Sequence, residues 1–304
     1  MATGTDDSVR NTYRYLRAAP LALTVFLGLG VWLQSRAADC VESSISATYY
    51  TSNHAVFVAA LCAIGVCLIA YQGSSPFEDV VLNLSGFLAF LVAMVPTFED
   101  PVRLCRDAAA VIDPLPASIR LNVAAVFGAA AVAEAVRWVF VRPLWRLPQD
   151  SQYRRWYVLV VAGVGYLLVL FLAWRYLSDF EGWFVRNAHN WSAVSMFGGI
   201  VLLILINGVG AVREILGSPA RRTRTVLATA AYLVSALGMI GGLALTLWRR
   251  SAQGVPDVFG AEVVVIAAFA LFWLTQTLEL WNATDRQAKR DAEGIVVPPL
   301  GATG

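Results

Sequence analysis

SSISATYYTSNHAVFVAALCAIGVCLIAYQGSSPFEDVVLNLSGFLAFLVAMVPT, residues 43–97, decides how the chain folds. Two apolar runs begin at Ala55 and Val80, each about as long as a helix needs to cross a hydrocarbon core. Between them lies a short polar turn holding Gly73, Ser74, Ser75, Pro76, Glu78 and Asp79. The turn is too short for a domain, so the two runs form a helical hairpin. The stretch is also dense in polar detail. Ser and Tyr precede the first helix, acids sit in the turn, and Asn83 lies inside the second helix.

Composition extends this reading to the whole chain. Hydrophobic residues make up 58% and charged residues 14%, against about 45–50% and about 25% in soluble domains. The chain is therefore an all-α polytopic membrane bundle. Its formal net charge of +2 supplies no field for nucleic acid. Heavy use of Arg, Ala, Val and Leu suggests a GC-rich bacterial source. The first apolar run lacks a small-residue cleavage site and reads as a retained helix.

Eight spans are expected, near 18–35, 55–71, 80–97, 121–141, 156–176, 193–212, 226–248 and 260–281, within one domain covering 1–281. Residues 282–304 are polar and end in Pro and Gly, which predicts a disordered tail. Basic residues set the orientation. An even count places both termini on the side carrying Arg10, Arg14, Arg17, Arg142, Arg146, Arg154, Arg155, Arg213, Arg221, Arg222, Arg224, Arg286, Lys289 and Arg290, so that side is the cytoplasm and the membrane is the cell's inner (plasma) membrane. Arg249 and Arg250 dissent. A re-entrant seventh segment would flip the C-terminus.

Charged and amide groups inside spans are expensive, so each is a functional candidate. Asn83, Glu134, Asn207 and Gln276 fall at comparable depth on four spans. They suggest a polar intramembrane pocket facing the cytoplasm, with Glu134 pointing into the bundle beside Arg137, three residues on. On the outer side Ser46, Tyr49, Tyr50 and His54 are candidates for surface chemistry, with Ser44 or Ser46, His54 and an acid as one hydrolase arrangement. No nucleophile-elbow motif supports it.

The two histidines, His54 and His189, fall on the outer side and form no HxxxH or HExxH pattern, which argues against a zinc hydrolase of the alkaline ceramidase type. Neither a metal nor a cofactor is expected. Lys289 is the sole lysine and lies outside every span, which excludes a Schiff-base retinal protein. Cys40 and Cys105 fall in outer loops and form a disulfide candidate. Cys62 and Cys67 belong to the core. Small residues in the fourth span, and Gly238 and Gly242 in the seventh, serve helix packing within the chain or a homodimer.

The pattern SSISATYY, then HAVFVAALCAIGVCLIAYQG, then EDVVLNLSGFLAFLVAMVPT resembles uncharacterised bacterial multispan membrane proteins. It is also similar to the DRAM-like six-helix membrane proteins, which share a Ser-containing outer loop before the second span. The likeness covers residues 43–97 alone, and this chain has more spans. No activity or functional residue follows from it.

Three functional readings remain open at this point. The first is binding or transport of a small or lipidic molecule through the polar pocket. The second is a membrane enzyme acting at the outer surface. The third is a scaffold or accessory subunit. Expected partners are membrane lipids, a small-molecule or lipid ligand and a second copy of the chain, with no nucleic acid.

Overall fold

The computed structural model describes residues 2–97, 105, 116–140, 152–217, 222–252 and 258–294. Every regular element among them is helical: α1 (Ala2–Ala38), a 3-10 turn (Ser46–Tyr50), α2 (His54–Ala70), α3 (Pro76–Met94), α4 (Pro116–Phe140), α5 (Gln152–Ser178), α6 (Val185–Gly217), α7 (Arg222–Ala252), α8 (Phe259–Glu279) and α9 (Arg286–Glu293). A π-helical turn, Phe180–Phe184, leads into α6. Seven helices, α1 and α3 to α8, are long and apolar enough to cross a membrane. The chain is a multi-pass membrane protein.

The hairpin forms as the sequence predicts, and its local chemistry is visible. Ser75 caps α3 by accepting from the Glu78 N–H, and Pro76 sits in the first turn, where no N–H is needed. Glu78 reaches back to the Ser74 N–H at 2.8 Å, and Asp79 takes the Gly73 N–H at 2.7 Å. A Cβ on Gly73 would stand 2.5 Å from Glu78, so the turn needs glycine there. The two helices then cross backbone to backbone. A Cβ on Gly65 would meet the Gly86 carbonyl at 2.8 Å, and one on Gly86 would meet the Gly65 carbonyl at 2.6 Å. Small residues permit this approach.

At 17 residues, α2 is the shortest of the eight long helices. It nevertheless runs between the same levels as α3. Its start is tied to the end of α3 by Tyr50 donating to the Thr97 carbonyl at 2.6 Å, and its end is tied to the start of α3 by the Gly73–Asp79 bond. Gly238 and Gly242 of α7 face Ala268 and Val265 of α8, so this small-residue pair packs within the chain.

The first turns of α1 and the end of α8 lie at one end of the bundle, the terminal side. Arg14 of α1 donates to the Trp281 carbonyl at 2.7 Å and to the Asn282 side chain at 3.2 Å. This terminal side also holds the α2–α3 turn, since Arg286 N–H donates to Ser74 Oγ. Asn282 to Gly294, expected to be disordered with the rest of the tail, is instead ordered. Asp285 caps α9, Gly294 ends it in a left-handed conformation, and Arg286 is buried. Residues 295–304 lie outside the described residues.

The opposite end is the disulfide side. Cys40 and Cys105 are bridged, with Cα atoms 6.0 Å apart and a sequence separation of 65. Cys62 and Cys67 are free thiols within α2. Alkylation of the denatured, unreduced protein should therefore modify Cys62 and Cys67 alone. Reduction should lower stability by about 2–4 kcal/mol, since the bridge closes a long loop. Four reactive thiols before reduction would contradict the bridge.

Candidate functional site

Polar side chains buried in the bundle gather at its two ends. At the terminal side Arg17 is fully buried. Its guanidinium donates to the carbonyls of Leu280 (2.7 Å), Ala283 (2.9 Å) and Thr284, and to Tyr71 Oη (3.2 Å). Those carbonyls lie at and beyond the end of α8, where a helix leaves acceptors unsatisfied. Burial pushes the Tyr71 phenol above its ordinary range, with the Arg17 charge opposing.

Beside it α9 inserts Arg286 between α6, α7 and α8. Arg286 meets Glu279 through both terminal nitrogens (2.7 and 2.8 Å), Glu214 at 3.2 Å, and Asn207 at 3.2 Å. Tyr232 donates to Glu279 at 2.5 Å. Lys289 bridges Glu214 and Glu279, and Arg290 reaches Glu214 at 3.0 Å. Burial opposes the Arg286 charge, but Glu279, Tyr232 and Glu214 outweigh it and hold the guanidinium pKa above its ordinary value. Gly210 makes the slot, since a Cβ there would stand 3.2 Å from the Arg286 side chain. The network joins residues of opposite sign at close range, while Arg286 Nε and the Gln276 carbonyl oxygen, one turn before Glu279, have no hydrogen-bond partner among the described residues.

The four intramembrane groups expected to share a pocket do not meet. Asn83 sits on the exposed face of α3. Glu134 stays at the α4–α5 seam, half-buried, bonded to Arg137, to Tyr166 at 2.6 Å and to Trp138 at 2.9 Å. It does not point into the bundle, because α4 leans on α3 and offers its carboxylate only the neighbouring α5 face. Asn207 joins the Arg286 network. Gln276 is buried on α8, one turn before Glu279.

At the disulfide side the chain between α1 and α2 folds back over the bundle. Ser43 accepts the Val258 and Phe259 N–H groups at 2.9 Å each, capping the start of α8. Glu262 of α8 takes the Ile45 N–H at 2.6 Å and the Ser46 N–H at 3.4 Å, and Ser44 takes the Ala47 N–H at 2.9 Å. These bonds fix the Ser46–Tyr50 turn. Ser46 Oγ then lies 3.0 Å from His189 Nε2, and His189 Nδ1 lies 2.7 Å from the Val95 carbonyl. A carbonyl can only accept, so in the neutral ring Nδ1 carries the proton and Nε2 turns its lone pair to the Ser46 hydroxyl. His189 is buried, with 2% exposure.

Of the other outer candidates, Tyr50 bonds the Thr97 carbonyl, as above. Tyr49 is buried, and burial raises its phenol pKa. His54 Nδ1 donates to the Tyr49 carbonyl at 2.8 Å, its ring edge-on to Tyr49 at 4.3 Å between centroids. His54 is thus turned to Tyr49, and the histidine beside Ser46 is His189. On the same side of the bundle four more side chains are buried: Gln34, Asn53, Thr97 and Ser192. The Gln34 amide, Asn53 Nδ2, Thr97 Oγ1 and Ser192 Oγ have no hydrogen-bond partner among the described residues. An unsatisfied buried polar atom costs about 1–3 kcal/mol, and such a group in a folded protein calls for a water or a ligand. Among the described residues no group of three or more His, Cys, Asp or Glu side chains is placed to hold a metal ion.

Comparison with protein-family models, with curated proteins and with solved structures returns no match to this chain. Function is therefore read from these two ends alone.

The terminal network and the Glu134 seam differ in burial, and stability should show it. Arg286→Ala takes the buried guanidinium from Glu279 and Glu214, whose side chains are 5% and 1% exposed and which keep Lys289 and Arg290, and should cost about 1.5–3 kcal/mol, the worth of a hydrogen bond to a charged group. Glu134→Gln touches a side chain 35% exposed and should cost under about 1 kcal/mol. Unfolding in detergent micelles measures both. Equal losses would contradict the assignment of Arg286 as a buried tether.

Proposed function

We propose that this chain is an acyl-transfer or ester-hydrolysing enzyme of the plasma membrane, acting at the extracytoplasmic surface. The observation that carries this reading is the Ser46–His189–Val95 arrangement: a hydroxyl, an imidazole lone pair and an orienting acceptor in line. The side assignment is supported by the disulfide, which needs an oxidising compartment, and by the arginine bias, which puts both termini in the cytoplasm.

Ser46 Oγ attacks the carbonyl carbon of an ester. The oxygen–carbon bond forms as its proton passes to His189 Nε2. The ester carbon–oxygen bond then breaks, and His189 returns that proton to the departing alkoxide, leaving an acyl-Ser46. Water or an acceptor alcohol, deprotonated in turn by His189, attacks the acyl carbon; the bond to Ser46 Oγ breaks, and His189 returns the proton to that oxygen. Here Val95 holds the ring in the productive tautomer through a backbone carbonyl, the role that a carboxylate plays in serine triads.

Binding or transport keeps one supporting observation, the Gln276 carbonyl oxygen, buried and without a partner among the described residues. It lies at the opposite end from Ser46, so substitutions at Ser46 separate the two readings.

A fluorophosphonate probe, which loses fluoride to an activated serine, should label the detergent-solubilised protein at Ser46, as located by peptide mass spectrometry. Ser46→Ala should abolish labelling and ester turnover. His189→Ala should slow both by about 10²-fold or more, the usual contribution of a general base. Folded protein that is never labelled, or is labelled equally well after Ser46→Ala, would overturn the reading.

A further inference from the structure

The Ser46–His189 pair stands above an apolar cavity, and helix register connects the two. From His189, one face of α6 descends through Ser192 and Met196 to Ile200, at intervals of three, four and four residues. Met196 and Ile200 line a partly open apolar cavity of about 40 Å3 together with Leu27 of α1, Leu61 of α2 and Phe269 of α8. Leu27 and Leu61 also belong to the apolar cluster that packs under Ile45 and Tyr49. The cavity thus lies directly inward of the 46–50 turn. Between base and cavity sits Ser192 Oγ, fully buried and without a hydrogen-bond partner among the described residues.

We infer that the site acts on esters bearing an acyl chain, and that the chain runs from Ser46 along α6 into this cavity. The inference rests on the acyl-transfer reading above. Seven residues of helix separate His189 from Met196, a descent of about 10 Å and the reach of roughly eight carbons. A water needs about 10–15 Å3 by the same measure, so the cavity takes about three chain carbons at its far end. Its walls are apolar, and the hydroxyl of Thr24 at its rim is already spent on the Pro20 carbonyl at 2.7 Å. A dry apolar end selects for hydrocarbon, and Ser192 on the path supplies one hydroxyl for the ester group.

Turnover of acetyl, octanoyl and palmitoyl p-nitrophenyl esters by the full chain in lipid nanodiscs tests this. The octanoyl ester should exceed the acetyl ester in kcat/KM by at least about 10-fold, from methylenes buried in the cavity. Met196→Trp should fill the cavity and lower the octanoyl-to-acetyl ratio. Met196→Ala should enlarge it and raise the palmitoyl-to-octanoyl ratio, an opposite shift that a general folding defect does not produce. Ser46-dependent turnover whose chain-length ratios stay unmoved in both variants would overturn the chain pocket and leave the acyl-transfer reading standing. No Ser46-dependent turnover of any ester would overturn both.

Discussion

Arg17 shows the constraint on which this bundle depends. A helix that stops at the edge of a bilayer leaves carbonyls without partners, and hydrocarbon supplies none. Arg17, on α1, takes three of them at the end of α8 and anchors the first and last spans to each other. The same solution recurs around the molecule. Tyr50 takes the Thr97 carbonyl, Glu262 takes the Ile45 N–H, and Ser43 takes two N–H groups at the start of α8. Distant helix ends are joined by side chains, or at Ser43 by a backbone carbonyl, that one end supplies and the other requires.

His189 is one more case of this rule, with a chemical consequence. Val95 terminates α3, and its carbonyl accepts His189 Nδ1. The bond that satisfies a helix end also sets the tautomer of a buried imidazole. Its second nitrogen is thereby turned toward Ser46. The terminal side pairs carboxylates with cations, where the disulfide side sets the Glu262 carboxylate against backbone N–H groups. The terminal carboxylates meet three cations, and both ends keep buried polar atoms with no partner among the described residues, Gln276 at the terminal end and Gln34, Asn53, Thr97 and Ser192 at the disulfide end.

Much of the fold was legible in the chain. The GSSPFED turn carries a capping serine, a proline at the first turn and two acids, which is a helix start in sequence form. The pairing of Cys40 with Cys105 followed from their loops sharing a side. What escaped was long range. Ser46 and His189 are 143 residues apart, and no local pattern links them, so His54 stood in as the nearby histidine. Depth alone misgrouped Asn83, Glu134, Asn207 and Gln276, because equal depth on four helices says nothing about which face each presents. The α9 segment, RQAKRDAE, is so charged that composition reads as disorder. Asp285 before it and Gly294 after it were the available signals.

The most direct test of this account is the protonation of the His189 ring. The chain has two histidines, so selective nitrogen-15 labelling gives two resolvable rings, and His54→Gln assigns them. The account predicts a neutral His189 with its proton on Nδ1, and an Nε2 resonance that moves when Ser46 becomes alanine. A proton on Nε2 with Nδ1 bare, or an Nε2 signal indifferent to Ser46→Ala in folded protein, would contradict it.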